Sequence, residues 1–387
     1  MQKKIIALAV AGLMSGAAFA QSNVTVYGIV DVGYTSGSAN AATKDKFSGL
    51  TSGNLSGSRI GFRGAEDLGG GLKANFTVEL GTMDTTANNT TNTATQSTTT
   101  NGIDTYRQAF VGLSGGFGGI VAGRLQHQGF WFGAKYDAHG ASIFSPVGQL
   151  TQNLNTAISG RSTLARLDNA VQYSSPNFGG LVVNAAYAFG EQVEGATAIN
   201  ATGGTTVDYA KQQKAWMLNA EYDAGPMSAG LIYAKLSDIG GTLVGAVDGT
   251  DQTEWALGAK YNFGMITPFF SYQRAKNDPA GATAETTSKI WNVGARANVT
   301  AAGSVGLAYA RMNQSGVGDD KARAWGLDYQ HAMSKRTTAY AGIANMKNAN
   351  GSAFEFKGLT GSAFGQAVAA DGNQKSSVFS LGMRHTF

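Results

Sequence analysis

Alternation of apolar and polar residues with period two, repeated in segments along most of the chain, constrains this sequence more than any other feature. In EWALGAKYNF, Trp255, Leu257, Ala259, Tyr261 and Phe263 alternate with Glu254, Gly258, Lys260 and Asn262. In KAWMLNAEYD, Trp216, Leu218, Ala220 and Tyr222 alternate with Asn219, Glu221 and Asp223. KIWNVGARANVT does the same with Trp291, Val293, Ala295, Ala297 and Val299. A helix would smear such a pattern around its circumference, so these segments are strands with one apolar face.

The connections alternate too. Short joins such as Asn262-Phe-Gly264, Asp223-Ala-Gly-Pro226, Ala301-Ala-Gly303 and Leu68-Gly-Gly-Gly71 take turns with long, polar ones such as Thr85 to Gly102. That is the signature of antiparallel hairpins with tight turns at one end and long loops at the other. Sixteen strands are expected, near 24–35, 56–67, 72–83, 104–113, 118–126, 166–176, 180–190, 212–223, 227–238, 253–263, 265–276, 288–299, 303–313, 322–332, 335–346 and 376–387. An even number of alternating segments of about ten residues with unequal ends fits a membrane-spanning barrel. A sheet in lipid must close on itself, because no water is present to satisfy an open edge. The expected fold is therefore all-β, a 16-stranded antiparallel transmembrane β-barrel.

Aromatics reinforce this reading. Trp216, Trp255, Trp291 and Trp325 lie at or near the starts of apolar runs, with Tyr222, Tyr261, Phe263 and Tyr309 near the other ends. Two such borders match the girdles of a lipid-facing band. A β-sandwich would bury its aromatics, but its strands are shorter and its connections less regular. The 54 glycines follow no collagen period, and small net charge with plentiful aromatics excludes a disordered chain.

Residues 1–20 read as a signal peptide: Lys3 and Lys4, an apolar stretch from Ile5 to Met14, then Ala18-Phe-Ala20. Cleavage after Ala20 leaves Gln21 first and lowers the formal charge from +4 to +2 by removing the two lysines. The apolar stretch falls short of the ~20 residues of a spanning helix. The absence of cysteine excludes thiol nucleophiles, zinc fingers and iron–sulfur centres.

Other chemistry is sparse. GLSGG at Gly112–Gly116 matches G-x-S-x-G, but that motif needs a strand followed by a helix, and here glycines lead into another strand. The histidines at 127, 139, 331 and 385 have no metal-binding spacing. His127 and His139 share one long connection, where a metal site is conceivable and a solvated role commoner. No metal, cofactor or nucleic-acid partner is expected. The segment 127–165 stands apart, holding aromatics, charges and Pro146. Connections this long in a compact domain are usually functional. A sixteen-stranded wall encloses a lumen too wide for side chains to fill, and an inward-folded loop would narrow it.

Parity assigns the inward charges. With Ile60 and Phe62 outward, Arg59 and Arg63 face the lumen; with Phe76 and Val78 outward, Glu79 faces in. With Leu167, Val171 and Tyr173 outward, Arg166 and Asp168 face in. DTYRQAFVGL is ambiguous by period, and Arg107 is assigned inward because a guanidinium facing lipid at mid-depth costs ~2–4 kcal/mol. Arg124 lies near the start of the long segment, and Asp137 within it. An arc of arginines facing an acidic loop would set ion selectivity in favour of anions.

The stretches VTVYGIVDVGY at 24–34, SRIGFRGAEDLGGGLKANFTVELG at 58–81, RQAFVGLSGGFGGIVAGR at 107–124, NAVQYSSPNFGGL at 169–181 and the terminal GMRHTF resemble the general outer-membrane porins of β-proteobacteria, of the Comamonas, Bordetella and Neisseria type. The resemblance covers nearly the whole chain after residue 20. It implies homotrimers in a Gram-negative outer membrane whose third extracellular loop, here 127–165, folds inward to form a constriction. By motif it places Arg59, Arg107 and Arg166 among the constriction arginines, with Glu79 and Asp137 as acidic partners and Arg124 close by. Many relatives carry Pro-Glu-Phe-Gly in this loop, whereas this chain has Trp131-Phe-Gly133 without that pair. Partners implied are outer-membrane lipid and lipopolysaccharide, sister subunits, and the barrel-insertion machinery, which would read Phe387 as an assembly signal.

The expected function is a water-filled channel for passive diffusion of ions and small hydrophilic solutes with modest anion preference. Alternatives are a channel specific for phosphate or organic anions, an outer-membrane barrel hydrolase, and a secreted carbohydrate-binding sandwich.

Overall fold

The structure, a computed structural model, describes residues 23–39, 46–82, 103–190, 197–199, 206–208, 214–239, 250–279, 284–316, 320–350, 354–356 and 375–387. The expected signal peptide, residues 1–20, and the Thr85–Gly102 connection fall outside the described residues.

Sixteen wall positions follow one another in chain order: β1 (Asn23–Ala39), β2 (two segments, Lys46–Ser52 and Arg59–Gly69), β3 (Leu72–Thr82), β4 (Ile103–Gly115), β5 (Gly118–Gln126), β6 (Arg166–Ser174), β7 (Leu181–Ala188), β8 (Lys214–Ala224), β9 (Met227–Ile239), β10 (Thr250–Tyr261), β11 (Ile266–Asp278), β12 (Thr286–Asn298), β13 (Gly303–Ser315), β14 (Lys321–Ala332), β15 (Thr337–Ala349) and β16 (Lys375–Thr386). Every neighbouring pair is antiparallel. The two segments of β2 pair successively with one edge of β1, and β16 pairs with the other, so the sheet closes. Thr197–Ile199 and Thr206–Asp208 form a small separate ribbon between β7 and β8. Tight turns sit where the short joins were expected; Gly225 and Gly264 there adopt positive φ of 55° and 91°, which an L side chain resists.

Burial inverts the pattern of a soluble protein. Leu231, Leu257, Leu307, Leu327, Ile343 and Leu381 are exposed on the outside, while Asn219, Glu254, Asn292, Asp328 and Ser380 are buried within. An apolar exterior around a polar interior is stable only in lipid. Among the described residues no helix is long and apolar enough to cross a membrane.

One aromatic belt encircles half the wall. Tyr187 opposes Trp216, Tyr233 opposes Trp255, Tyr272 opposes Trp291, and Tyr309 opposes Trp325. These pairs are linked diagonally by Trp216–Tyr233, Trp255–Tyr272 and Trp291–Tyr309, with ring centroids 4.8, 5.3 and 5.4 Å apart. Alternating direct and diagonal steps offsets the strand tilt, so the belt stays level from β7 to β14. Tyr309, expected at the opposite border, belongs to this belt because register with Trp325 fixes its height.

Candidate functional site

On the inner face of β1–β6, Glu79 gathers a basic cluster. The Arg107 Nε donates to Glu79 Oε1 at 2.7 Å, and Arg59 Nη1 lies 3.7 Å from the same oxygen. The Tyr27 hydroxyl donates to the other oxygen at 3.0 Å. Arg59 is further fixed by its Nε donating to the Gly57 carbonyl at 2.8 Å. Gly57 leaves room for both guanidiniums: a Cβ there would lie 3.3 Å from Arg107 Nη1 and 3.9 Å from Arg59 Nη2. Arg107 owes its aim to shifts in the β3–β4 register around Leu80, which break strict parity where the sequence was ambiguous. Val111 and Leu113 then take the outward face.

Arg166 completes the group. The charges around it are Arg107, Arg124, Arg59 and Glu79, and its buried Nε has no hydrogen-bond partner. Two guanidiniums therefore contact this carboxylate, and Arg166 adds a third positive charge beside them.

Two further expected residues go elsewhere. Arg124 forms an ion pair with Asp168, which neutralises it locally. Asp137 does not face the arginine cluster. It is buried within its own segment, accepting from the His139 and Ala141 amides at 3.2 and 2.9 Å, because a tight bend there leaves backbone donors to be satisfied. Leu167, expected to face lipid, is buried in the cluster that holds Leu125, Phe132 and Tyr136. Asn169, with φ of 50°, and a register shift between Gly123 and Leu125 interrupt the alternation there.

The segment 127–165 carries two helices, α1 (Gln128–Lys135) and α2 (Pro146–Asn153). His127 joins its two ends: Nδ1 accepts from the Gly129 amide at 3.0 Å, capping α1, and Nε2 donates to the Leu164 carbonyl at 2.6 Å. Burial pushes this imidazole down to about 4, with the Leu164 bond opposing and Arg166 adding to the fall. Burial likewise lowers the Arg161 guanidinium to about 9, against the pull of Asp137; it donates to Gln152 and to the Ala141 carbonyl.

This segment packs on inward-facing residues of the distant wall. Glu254 of β10 accepts from the Ala157 and Ile158 amides at 2.7 and 3.0 Å. His139 bonds Asp328 and the Gly326 carbonyl of β14, and Arg296 of β12 donates to the Ala138 carbonyl and twice to Asp328. Wall glycines form seats: a Cβ at Gly258 would lie 2.3 Å from Tyr136 Cγ, and one at Gly326 would lie 1.9 Å from the Phe144 carbonyl oxygen. Near the break in β2 the Ile143 amide donates to the Asn54 carbonyl at 2.7 Å. Trp131 is exposed and donates to the Gln126 carbonyl, while its neighbour Phe132 is buried against Tyr136.

Sequence reasoning missed Tyr27, whose inward parity opposite Val24 and Val26 was a usable signal. It also missed the anchors Glu254, His139 and Asp328, for which spacing gives none. Among the described residues no cluster of three or more His, Cys, Asp or Glu side chains is arranged to hold a metal. Ser114 of the GLSGG match sits in β4 opposite Lys73 and Gly119, while the four histidines bond Leu164, Asp328, Tyr329 and Thr337.

Comparison with known proteins gives consistent matches. A family model described as Gram-negative porin matches residues 7–351. Outer membrane porin protein 32 of Delftia acidovorans is 34% identical over 391 aligned positions, covering 100% of both chains. An outer membrane porin protein of Bordetella pertussis is 30% identical, covering 90% of this chain and 95% of its own. Among solved structures, an anion-selective porin from Comamonas acidovorans superimposes with a TM-score of 0.73 at 32% identity, covering 95% of this chain and 100% of that one.

Proposed function

The chain belongs to the Gram-negative porins of the outer membrane, and from that premise we propose that it is a passive, anion-preferring channel constricted by the 127–165 segment. The observation that carries the preference is the grouping of Arg59, Arg107 and Arg166 around the single carboxylate of Glu79. Fixed cations on a narrow stretch of lumen lower the energy of a passing anion and raise that of a cation. Glu79 moderates the field and holds two of the arginines apart, so the pore attracts anions without trapping them. The preference is modest because acids such as Glu221 and Asp223 also line the interior, held by Lys135.

The segment 127–165 is anchored to β8–β15 and to the break in β2, while the arginines rise from β2, β4 and β6. That division supports a constriction with one basic and one loop-covered side. We take no residue as catalytic, since the histidines are engaged elsewhere and Ser114 has none among its partners.

A homotrimer is proposed to pack through the wall that the aromatic belt leaves uncovered. Gly28 there lies under the Phe387 ring, which leaves a flat outward patch suited to protein contact.

Reversal potentials in planar bilayers under a KCl gradient test the reading. Wild type should prefer chloride, Arg107→Ser should reduce that preference, and Glu79→Gln should raise it. A protein that does not conduct overturns the channel, and cation preference in wild type overturns the role of the arginines.

A further inference from the structure

Among the described residues of the inward segment 127–165, Trp131 is the large apolar side chain left exposed, at 47%. The other exposed aromatics lie on the wall strands or in the joins next to them. The geometry of α1 explains this exposure. Gly129 and Phe132, with Tyr136 at the helix end, are buried on the wall side, and Trp131 lies roughly opposite them around the helix. The indole therefore faces the water of the lumen, where an unpacked aromatic gains nothing by itself. It is nevertheless held in place. Its Nε1 donates to the Gln126 carbonyl at 3.2 Å, and the Phe130 ring meets it edge-on with centroids 5.2 Å apart.

Gln126 joins this platform to the arginines. Its Oε1 accepts from Arg107 Nη2 at 3.5 Å. It also stands directly opposite Arg166 on β6, one strand spacing or ~4.8 Å away. Gln126 is only 4% exposed, yet its Nε2 has no hydrogen-bond partner, and neither has the buried Nε of Arg166. Buried donors without acceptors are uncommon, and two at facing positions point to an acceptor supplied from outside the chain. Asp168, the acid closest to Arg166 in sequence, is held by Arg124.

We propose that Trp131, Gln126 and Arg166 form a subsite for small planar aromatic carboxylates, with the ring stacked on the indole and the carboxylate against the Arg166 guanidinium. The subsite presupposes the anion-preferring channel above and adds the class of solute it favours. A guanidinium suits a carboxylate because its donors form a planar fork. An indole face holds a second π-system by offset stacking. The single strand spacing between Gln126 and Arg166 fits a ring that carries its carboxylate directly, whereas the base, sugar and phosphate of a nucleotide would overshoot it. An aliphatic acid can use only the arginine, and a neutral aromatic only the indole.

The test is half-block of chloride current through the full protein in planar bilayers by benzoate, cyclohexanecarboxylate, acetate and benzamide. Benzoate should block wild type at roughly tenfold lower concentration than acetate or benzamide, the factor that stacking on one aromatic side chain supplies. It should also act at severalfold lower concentration than cyclohexanecarboxylate, which has the bulk and the charge without the π-face. Trp131→Ala should bring benzoate to the level of cyclohexanecarboxylate, and Trp131→Phe should keep part of the preference. Arg166→Gln should bring benzoate to the level of benzamide. Saturation-transfer NMR with benzoate and the full protein in detergent reads binding whether or not the pore conducts, and its signal should fall in Trp131→Ala.

Equal block by benzoate and cyclohexanecarboxylate in wild type overturns the subsite, as does a benzoate preference that survives Trp131→Ala. Failure of every form to conduct would count against the channel itself, and the NMR difference between wild type and Trp131→Ala would still decide the subsite.

Discussion

At the scale of single residues, the decisive groups are charges whose partners lie far away in sequence. Glu79 of β3 collects Tyr27, Arg59 and Arg107 from three other strands, and parity alone placed Glu79 and Arg59 inside. His127 makes the sharpest residue-level prediction. Its imidazole caps α1 through an unprotonated Nδ1, and its folded value of about 4 lies below the ordinary ~6.5. The unfolded chain therefore binds the proton more readily. The neutral cap contributes fully above pH ~6.5, and its contribution, at most about 3 kcal/mol, is lost as pH falls to about 4. Hydrogen exchange at the Gly129 amide should accelerate over that window relative to the wall strands. His127→Asn keeps a capping oxygen without titrating, and should flatten the dependence; an unchanged profile in wild type would refute it.

At the scale of elements, the strands were legible and the segment 127–165 only partly so. Its length, aromatics and charges marked it as functional, but nothing in its spacing revealed two capped helices. The wall signalled the docking indirectly, through glycines at inward positions of otherwise bulky strands. Gly326 is the clearest, since any Cβ would collide with the Phe144 carbonyl. Gly326→Ala should lower stability by roughly 1–3 kcal/mol, the usual cost of overpacking. It should also increase open-channel current noise as the segment shifts. Identical melting and noise would show that Phe144 has room to yield. Bulges explain where periodicity was ambiguous or misled: Arg107, assigned inward against an ambiguous period, does reach inward, and Leu167, expected to face lipid, is buried, because register shifts and the left-handed Asn169 break the two-residue period.

At the scale of the whole molecule, closure decides the architecture. The β1–β16 seam runs from Ile29 opposite Thr386 to Ala39 opposite Ser376. Phe387 adds a final reciprocal pair, its amide donating to the Gly28 carbonyl at 3.1 Å and its carbonyl accepting from the Gly28 amide at 3.0 Å. Its ring covers Gly28, where a Cβ would come within 2.3 Å of it. Deleting Phe387 removes two hydrogen bonds worth ~1 kcal/mol each along with the ring contact. Yield in the outer membrane should fall several-fold by immunoblot of membrane fractions, while correctly inserted channels keep wild-type conductance. Altered conductance would mean that the seam shapes the lumen.

The sequence by itself determined the wall: period-two alternation specifies strands with one lipid face, and alternating joins specify antiparallel order. It also determined that Arg59 and Glu79 point inward, because parity is a local property. Which inward residues meet, and against what the long segment rests, was decided only by the tertiary structure. The β3–β4 register shifts at a bulge, the folded-in segment seats Tyr136 and Phe144 on distant glycines, and Asp137 turns to its own backbone. Those pairings depend on shear, bulges and a folded-in loop, and no periodicity along one strand encodes them.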